Sequence, residues 1–425
     1  MNPRPRHAGE QAGEQGGADR GESAQGRVDG GRVSGGDGTP GDRDGFATRA
    51  IHVGSPPDPA TGAIIAPIYQ TSTFVQDSIG RHHGYEYART ANPTRTALET
   101  CLASLEGVEE KGHGGALAFA SGMAATSAVL QTLRPGDRLV LSRDAYGGTH
   151  RVAEVFTQWG VVVQTQDLTD LSTLESTLAA GRGPGVVWVE SPTNPLLDIV
   201  DIAAVSAASH RAGLRCVVDN TFATPYLQQP LRLGADAVVH SVTKYLGGHS
   251  DVVGGALITN DDDLLERLTF LRNALGPVPS AFDCWLTLRG VKTLAVRMRA
   301  HCDNARAIAT YLTGHPEVAQ VRYPGLASHP NHATARAQMR DFGGMVSFRL
   351  RSGIAAARRV VESTRLFALA ESLGGVESLI ELPGAMTHAW VADGPFAVPD
   401  DLVRLSVGIE DATDLIADLD QALRA

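Results

Sequence analysis

The feature that most constrains the fold is an alternation of short apolar runs with helical patterns between Arg95 and Arg289. Several of these runs are rich in β-branched residues and apolar on both faces, as expected of strands buried between two layers of helices. The predicted strands are Ala116–Ala120, Arg138–Leu141, Val161–Gln164, Val186–Glu190, Cys216–Asp219, Ala237–His240 and Gly255–Ile258. Alternating strands and helices predict an α/β fold with a mainly parallel sheet. Ligands of such sheets bind beyond the carboxyl ends of the strands, so functional residues are expected there.

The chain divides into four segments. Residues 1–45 contain no aromatic residue, Leu or Ile, so they lack the apolar surface that would offset the entropy of ordering, and a disordered tail is predicted. Residues 46–94 mix short apolar pieces with Pro and Gly, which predicts an extended arm. Residues 95–290 are predicted to form the large α/β domain. Residues 291–425 are predicted to be a smaller α/β domain that begins with a long amphipathic helix at about 292–313.

Charge and composition argue against several classes of protein. The net charge of −10 argues against a nucleic-acid binder, which needs a basic face. No apolar run approaches the roughly 18 residues of a membrane span, and the tail lacks the apolar centre of a signal peptide. The cysteines (Cys101, Cys216, Cys284 and Cys302) show neither C-x-x-C pairing nor zinc-ligand spacing, so no metal site is predicted. Free thiols in a large chain fit a reducing cytoplasm.

Two groups with chemical potential follow the first and fifth predicted strands. Ser121-Gly122-Met123 opens a helical run, and a small-residue turn at a helix N-terminus offers free N–H groups to a phosphate. Asp219 ends a buried strand, where a carboxylate needs a cationic or hydrogen-bonding partner. Taken alone, the first group also fits an ordinary turn capped by Ser121, and the second fits a turn aspartate.

Two further groups follow the second and sixth predicted strands. Lys244 follows a buried strand, where burial and nearby cations lower the pKa of an amine and make it a nucleophile toward aldehydes. Ser241 and Thr243 add hydroxyls to the same anion site. Tyr146 precedes two glycines, which let a flat ring approach a flat ligand. Taken alone, a surface lysine and a core tyrosine fit these positions as well.

Considered together, the four groups indicate one kind of ligand. An anion cradle, a buried acid, a nucleophilic lysine and a stacking aromatic ring are what pyridoxal phosphate (PLP) requires. The lysine would bond to the cofactor aldehyde, and the acid would keep the pyridine nitrogen protonated so that the ring accepts electrons. The predicted cofactor is therefore PLP.

Further motifs occur in the order and at close to the spacing of one enzyme family. They are Tyr87-Ala88-Arg89, Asn92-Pro93-Thr94-Arg95, Ser121-Gly122-Met123, Tyr146-Gly147-Gly148, Glu190-Ser191-Pro192-Thr193-Asn194-Pro195, Val218-Asp219-Asn220-Thr221, Ser241-Val242-Thr243-Lys244-Tyr245, Glu371-Ser372-Leu373-Gly374-Gly375 and Arg404-Leu405-Ser406-Val407-Gly408. With them the chain resembles the cystathionine γ-synthase/γ-lyase family, PLP-dependent enzymes of cysteine and methionine metabolism. The resemblance runs from about Phe46 to the C-terminus, some nine-tenths of the chain.

The resemblance implies a fold and an assembly. The fold is the PLP-dependent transferase fold type I, with a mostly parallel seven-stranded sheet in a large domain and a smaller α/β C-terminal domain. The assembly is a homotetramer, a dimer of dimers in which the arm completes the active site of a neighbouring subunit. Two features depart from the family: the tail of residues 1–45, and Trp390, which is bulky for its position and either narrows substrate choice or packs within the small domain.

The resemblance also implies residue roles. Lys244 bonds the cofactor and moves protons, Asp219 pairs with the pyridine nitrogen, and Tyr146 stacks on the ring. The implied cofactor-binding residues are Gly122, Met123, Tyr146, Asp219, Thr221, Ser241, Thr243 and Lys244, with Tyr87 and Arg89 reaching over from a neighbouring subunit. The implied substrate-binding residues are Arg404, Ser372, Asn194, Arg151 and Glu371. Arg404 clamps the α-carboxylate, because a guanidinium fork matches a carboxylate in two places, and Arg151 and Glu371 lie near the distal end of the substrate.

The same residues serve several reactions on small amino-acid substrates. The favoured hypothesis is γ-replacement, which forms cystathionine from an O-acylhomoserine and cysteine. The alternatives are γ-elimination from cystathionine to cysteine, 2-oxobutanoate and ammonia, and a methionine γ-lyase or homoserine sulfhydrylase reaction. A PLP fold kept as a non-catalytic binding protein is disfavoured, because Lys244, Asp219 and Arg404 are all present.

Overall fold

A computed structural model describes residues 41, 43–109, 112–387 and 398–425. Residues 1–40 of the predicted tail, and Trp390, lie outside this part of the chain. The helices are α1 (Phe46–His52), α2 (Pro93–Glu106), α3 (Gly122–Leu130), α4 (Gly147–Gln158), α5 (Leu171–Ala180), α6 (Ile202–Arg211), α7 (Thr224–Leu227), α8 (Asp262–Leu275), α9 (Ala281–Val291), α10 (Leu294–Thr313), α11 (His332–Gln338), α12 (Gly353–Ser363) and α13 (Ala412–Leu423). The predicted long helix at about 292–313 is confirmed as α10.

The larger sheet has seven strands. They are β1 (Gly115–Phe119), β2 (Arg138–Ser142), β3 (Val162–Gln166), β4 (Gly185–Glu190), β5 (Leu214–Asp219), β6 (Ala237–Ser241) and β7 (Gly255–Thr259). Their order is β1-β7-β6-β5-β4-β2-β3, and only β7 runs antiparallel to its neighbours β1 and β6. Each predicted strand is present, with ends shifted by at most two residues. The predicted α/β fold with a mostly parallel seven-stranded sheet is thus confirmed.

Both faces of this sheet are covered by helices, as the apolar runs predicted. Along β6, Val238 and Val239 point to opposite faces, and both are buried, at 0% and 1% exposure. Val238 packs in a core with Leu102 of α2 and Leu288 of α9, whereas Val239 packs in another with Val129 of α3. A strand that alternated apolar and polar residues would present apolar side chains to the helices on only one face of the sheet.

A second, smaller sheet is formed by the C-terminal part of the chain. Its strands are β8 (Val318–Arg322), β9 (Met345–Leu350), β10 (Ala368–Leu369), β11 (Leu379–Glu381) and β12 (Leu402–Ser406), in the order β10-β11-β12-β9-β8. All pairs are antiparallel except β10 with β11. Helices α10, α12 and α13 pack against this sheet through Ile308, Val360 and Leu419, which are buried in one apolar core with Phe348 of β9.

The predicted arm differs from the expectation at its start. Phe46–His52 form α1 rather than extended chain, because Phe46 and Ala50 are buried and the Phe46 ring meets the edge of Tyr226, with ring centroids 5.2 Å apart. From residue 53 to 92 the chain has only two isolated bridges, Thr73 with Tyr87 and Ser78 with Arg81.

Two further observations concern membrane-spanning helices and the state of the cysteines. In the described part of the chain, no helix is both long enough and apolar enough to cross a membrane. The four cysteines are buried free thiols.

Candidate active site

The carboxyl ends of all strands of the large sheet except β7 lie at one edge, and β3 runs parallel to its neighbour β2. Strands β2, β4, β5 and β6 are parallel, and β1 runs in the same direction as β6 because both are antiparallel to β7. Ser121, Tyr146 and Thr221 lie two to four residues beyond the ends of β1, β2 and β5, and Glu190 and Ser241 are the last residues of β4 and β6. The topology therefore brings together the polar groups that the sequence places after separate strands.

The first contact at this edge joins β5 to β6. Asp219 ends β5, and its Oδ1 accepts a hydrogen bond from the Thr221 N–H at 3.0 Å. The Thr221 hydroxyl oxygen in turn accepts from the Ser241 N–H at 2.9 Å. Burial raises the pKa of Asp219, and the hydrogen bond from Thr221 opposes that rise. A cationic N–H donor would stabilise the ionised form of such a buried acid.

The turn at the start of α3 lies against the same segment. Ser121 caps this helix, with its hydroxyl oxygen accepting from the Ala124 N–H at 3.1 Å. A Cβ added at Gly122 would lie 2.9 Å from the Ser241 Cβ, so only glycine fits this close approach. The N-terminal N–H groups of α3 and the Ser241 hydroxyl thus lie side by side, as a phosphate group requires.

Tyr146 lies beside this turn at the start of α4. A Cβ added at Gly148 would lie 2.5 Å from the Tyr146 ring and 2.6 Å from the Met123 sulfur, so both side chains pack on the bare glycine. The Tyr146 side chain is 39% exposed, which leaves part of its ring open to a ligand. Tyr146 and Met123 therefore lie next to the helix terminus that carries Gly122.

Glu190 holds the Tyr146 segment in place. Its Oε2 accepts a hydrogen bond from the Tyr146 N–H at 2.7 Å, and Tyr146 provides no side-chain cap to α4. The Asn194 backbone makes a further hydrogen bond to Glu190, which is paired with Asp219 across the β4–β5 ladder. Burial, together with the nearby Asp219, raises the pKa of Glu190 well above its usual range.

Lys244 lies three residues after β6 and contacts the C-terminal part of the chain. Its Nζ donates a hydrogen bond to the Ser372 hydroxyl at 2.6 Å. Burial, together with the nearby Arg404 charge, lowers the pKa of Lys244 to about 8. Thr243, next to it, exchanges hydrogen bonds with the Gly254 main chain through its hydroxyl, at 3.1 and 3.3 Å. The Lys244 amine is thus poised to release and accept protons near neutral pH.

Arg404 is a buried cation close to Lys244. It lies on β12 with its side chain 2% exposed. Its Nη1 donates to the Asn194 side-chain oxygen at 2.8 Å and contacts Glu381 Oε1 at 3.0 Å. Its Nη2 donates to the Ser372 main-chain oxygen at 2.9 Å. Burial lowers the pKa of Arg404, and Glu381 opposes that change.

The exposed part of the predicted site comprises Glu371, Arg151, Tyr87 and Arg89, whose side chains make no hydrogen bond to this cluster. Glu371 is exposed, but it is close enough to Lys244 for its charge to oppose the lowering of the Lys244 pKa. Arg151 is exposed on α4, and its side chain makes no hydrogen bond or ion pair to any described residue. Tyr87 and Arg89 are exposed on the arm, where the Arg89 guanidinium lies 5.5 Å from the centre of the Tyr87 ring.

The remaining site residues fit PLP by their chemistry. The glycine-lined helix terminus beside Ser241 suits the phosphate, and the buried Asp219 suits a protonated pyridine nitrogen. The chain has three lysines, Lys111, Lys244 and Lys292. Lys111 lies outside the described residues, and Lys292 donates a hydrogen bond to the main-chain oxygen of Ile51 in the arm. Lys244 is therefore the described lysine that adjoins the other groups.

Two acids of this region were not predicted as site residues. Glu190 appeared only within a motif, although its place at the end of a buried strand is the signal that singled out Asp219. Glu381 ends the three-residue strand β11, which is too short to show a pattern in the sequence. Both are buried and bind groups of the site directly.

Comparison with known proteins gives a family match over most of the chain. The sequence pattern of the family described as "Cys/Met metabolism PLP-dependent enzyme" matches residues 47–424. The match begins one residue after the start of α1 and ends within the last two residues of the chain.

Individual relatives extend this comparison. A cystathionine γ-synthase of Mycobacterium tuberculosis is 58% identical over 382 residues, covering 89% of this chain and 97% of that protein. A cystathionine γ-lyase of Dictyostelium discoideum is 49% identical over 383 residues, covering 89% and 97%. The crystal structure of a cystathionine γ-synthase from Xanthomonas oryzae pv. oryzae in complex with aminoacrylate and cysteine superposes with a TM-score of 0.85 at 46% identity, covering 90% and 98%.

Proposed function

The chain belongs to the PLP-dependent enzymes of cysteine and methionine metabolism, and we propose that it forms cystathionine from an O-acylhomoserine and cysteine. In this γ-replacement the acyloxy group leaves Cγ as a carboxylate, and the cysteine sulfur, having lost its proton, bonds to Cγ in its place. The expected PLP-dependent fold type I is confirmed by the solved cystathionine enzymes that the structure resembles.

The observation that carries the proposal is the hydrogen-bonded chain from Lys244 through Ser372 to Arg404. It joins an amine whose pKa is lowered to about 8 to a buried guanidinium, which supports a site that holds an amino acid by its carboxylate and moves its protons. Replacement is favoured over elimination because the M. tuberculosis synthase is 58% identical to this chain and the D. discoideum lyase 49%.

The residues after the strands of the large sheet would hold the cofactor. Gly122, Met123, Ser241 and Thr243 would bind the phosphate, Thr221 would lie near the ring oxygen, and Tyr146 would stack on the ring. Asp219 would keep the proton on the pyridine nitrogen, and Lys244 would bond the cofactor before substrate arrives. When bound, PLP supplies an electron sink for the charge left on Cα after deprotonation.

Lys244 would move the protons of the reaction. Once free, its amine removes the proton at Cα, takes part in proton transfer at Cβ, and returns protons after the sulfur has bonded to Cγ. The lowered pKa makes the neutral amine accessible near neutral pH. The hydrogen bond from Nζ to the Ser372 hydroxyl orients the amine within the site.

The substrate would be held by the C-terminal part of the chain together with one loop of the large sheet. Arg404 binds the α-carboxylate, with Asn194 and Ser372 fixing the guanidinium. Glu371 and Arg151 would face the distal end of the substrate. In this division of roles, residues 95–290 hold the cofactor and residues 291–425 supply the carboxylate clamp.

The assembly in this proposal is a homotetramer in which the arm of residues 46–94 completes a neighbouring site. Ile64, Val75 and Ile79 of the arm are 76%, 87% and 104% exposed, an apolar surface that a second copy of the chain would cover. Tyr87 and Arg89 are exposed on the same arm, free to reach a partner's phosphate group. The buried free cysteines support a cytoplasmic location.

A paired assay on the purified, cofactor-loaded protein tests the reaction. One arm supplies O-succinyl- or O-acetylhomoserine with cysteine and measures cystathionine, and the other supplies cystathionine and measures 2-oxobutanoate and cysteine. We expect cystathionine formation to dominate. Dominant breakdown would assign a γ-lyase instead. Activity in neither arm would direct the search to methionine γ-lyase or homoserine sulfhydrylase substrates.

A further inference from the structure

Glu381 and Arg404 form a buried ion pair between neighbouring strands. They are paired across the antiparallel β11–β12 ladder, and Glu381 Oε1 lies 3.0 Å from Arg404 Nη1. Their side chains are 1% and 2% exposed, so the pair is shielded from solvent. The main chains of both residues are fixed by the β11–β12 ladder, so the pair has little freedom to move.

Glu381 is itself fixed by a second contact. The Thr387 hydroxyl donates to Glu381 Oε1 at 2.9 Å, on the same oxygen that meets Arg404. The other oxygen, Oε2, is buried and has no hydrogen-bond partner among the described residues. Burial raises the pKa of Glu381, and the Arg404 charge opposes that rise. The guanidinium is therefore the main group that favours the ionised form of this acid.

The hydrogen bonds of Arg404 define what remains for a ligand. A guanidinium has five N–H groups. Nη1 contacts acceptors on Asn194 and Glu381, and one N–H of Nη2 is taken by the Ser372 main-chain oxygen. Nε is buried without a partner in the described part of the chain. The N–H of Nε and one N–H of Nη2 are left, which is the fork that binds one carboxylate in two places.

We propose that Glu381 is a positioning residue, which orients Arg404 so that its remaining N–H fork faces the α-carboxylate of the substrate. The inference rests on the proposed function, because it assumes that Arg404 binds this carboxylate. Glu381 acts through Arg404 and holds the guanidinium on the side away from the fork. Its negative charge also weakens the attraction between Arg404 and a carboxylate, so its geometric and electrostatic effects have opposite signs.

Two substitutions of similar volume separate these effects. Glu381→Met removes the acceptor, whereas Glu381→Gln keeps an acceptor and removes the charge. Asp401→Asn is the matched control, because Asp401 Oδ1 accepts from Arg349 Nε at 2.8 Å next to the same sheet without contacting Arg404. If Glu381→Met does not fold, Glu381→Ala takes its place with the same expectation.

The measurement compares two ligands that differ only in the carboxylate. L-Norleucine and 1-aminopentane are titrated into each holoenzyme, and binding is followed by the visible spectrum of the cofactor. We expect Glu381→Met to weaken L-norleucine binding about 10-fold and to leave 1-aminopentane binding unchanged. Glu381→Gln should bind L-norleucine at least as tightly as the unaltered protein does, and Asp401→Asn should bind both ligands normally.

Other outcomes would overturn the proposal. Equal weakening of both ligands by Glu381→Met would indicate general damage to the site, and unchanged L-norleucine binding would show that Arg404 does not need Glu381. A loss in Glu381→Gln as large as that in Glu381→Met would show that a hydrogen-bond acceptor at this position does not orient Arg404, which contradicts the positioning role. Neither ligand needs to be turned over, so a failure of the proposed reaction in the paired assay leaves this test readable.

Discussion

The Lys244 amine and the Ser372 hydroxyl are joined by a hydrogen bond of 2.6 Å between residues 128 positions apart in the chain. Lys244 lies between β6 and β7 of the large sheet, whereas Ser372 lies between β10 and β11 of the small sheet. Ser372 also accepts a hydrogen bond from Arg404 through its main-chain oxygen. One serine thus links the amine proposed to move protons with the cation proposed to hold the carboxylate.

Replacement of Lys244 by Ala should prevent covalent attachment of the cofactor. The variant should lose the visible absorption band of the lysine-bound cofactor and nearly all activity, because no other described lysine adjoins the site. The spectrum of the purified protein, before and after reduction with borohydride, makes the comparison. Lys292→Ala is the control and should keep the band, since Lys292 binds the arm near Ile51. Retention of the band in Lys244→Ala would remove the central assignment.

The lowered pKa of Lys244 predicts that this residue reduces the unfolding free energy of the cofactor-free protein by an amount that depends on pH. The pKa is about 8 when folded against 10.5 as the reference, so the unfolded state binds more protons between these values and stability rises with pH there. Lys244→Met removes this effect. The variant's advantage in unfolding free energy should be largest below pH 8 and fall by about 3 kcal/mol as the pH rises to 10.5.

Denaturant unfolding of the two cofactor-free proteins at a series of pH values measures this difference. The contributions of titrating groups that do not interact with Lys244 are shared by the two proteins and cancel. An advantage that stays constant across the range would show that the Lys244 pKa is not lowered by the fold.

Replacement of Arg404 by Lys should selectively impair substrate binding. A lysine keeps the charge but loses the planar fork, so the KM for the O-acylhomoserine should rise about 100-fold while kcat changes less. Steady-state kinetics provide both constants. Arg349→Lys is the control, because Arg349 pairs with Asp401 on the same sheet and should leave KM unchanged. An unchanged KM in Arg404→Lys would mean that the carboxylate is bound elsewhere.

Sharing of active sites between subunits can be tested by mixing two inactive variants. Arg89→Ala damages the arm, and Lys244→Ala damages the site that the arm of another copy would complete. In a mixed dimer both defects can fall in one site and leave the other intact. Random mixing should therefore restore about a quarter of normal activity. Activity no higher than that of the separate variants would show that each chain completes its own site.

The sequence predicted which residues meet at the edge of the large sheet better than it predicted the contacts that support them. Apart from the edge strand β3, the strands of the large sheet are largely buried on both faces, so an apolar run marked each of them. The residue types after each run then indicated their chemistry. The parallel direction of the strands places Tyr146, Asp219 and Ser241 at one edge, so this prediction needs no knowledge of the loop conformations.

The supporting contacts depend on pairings that a sequence does not display. Glu381 meets Arg404 because β11 and β12 pair in one particular register, and β11 has only three residues. Glu190 binds a main-chain N–H of Tyr146, so the residue type of its partner carries no signal. The helix α1 was missed because its burial comes from Tyr226, which lies 180 residues away.

Ser372 has a φ angle of 94°, in the left-handed region that glycine adopts with less strain than serine. Ser372→Gly would therefore relax the backbone while taking from Lys244 the hydroxyl that orients it. Selection for a more stable chain and selection for a faster enzyme then act in opposite directions at this residue. A library screened for thermal resistance alone would favour glycine here and discard catalytic activity in doing so.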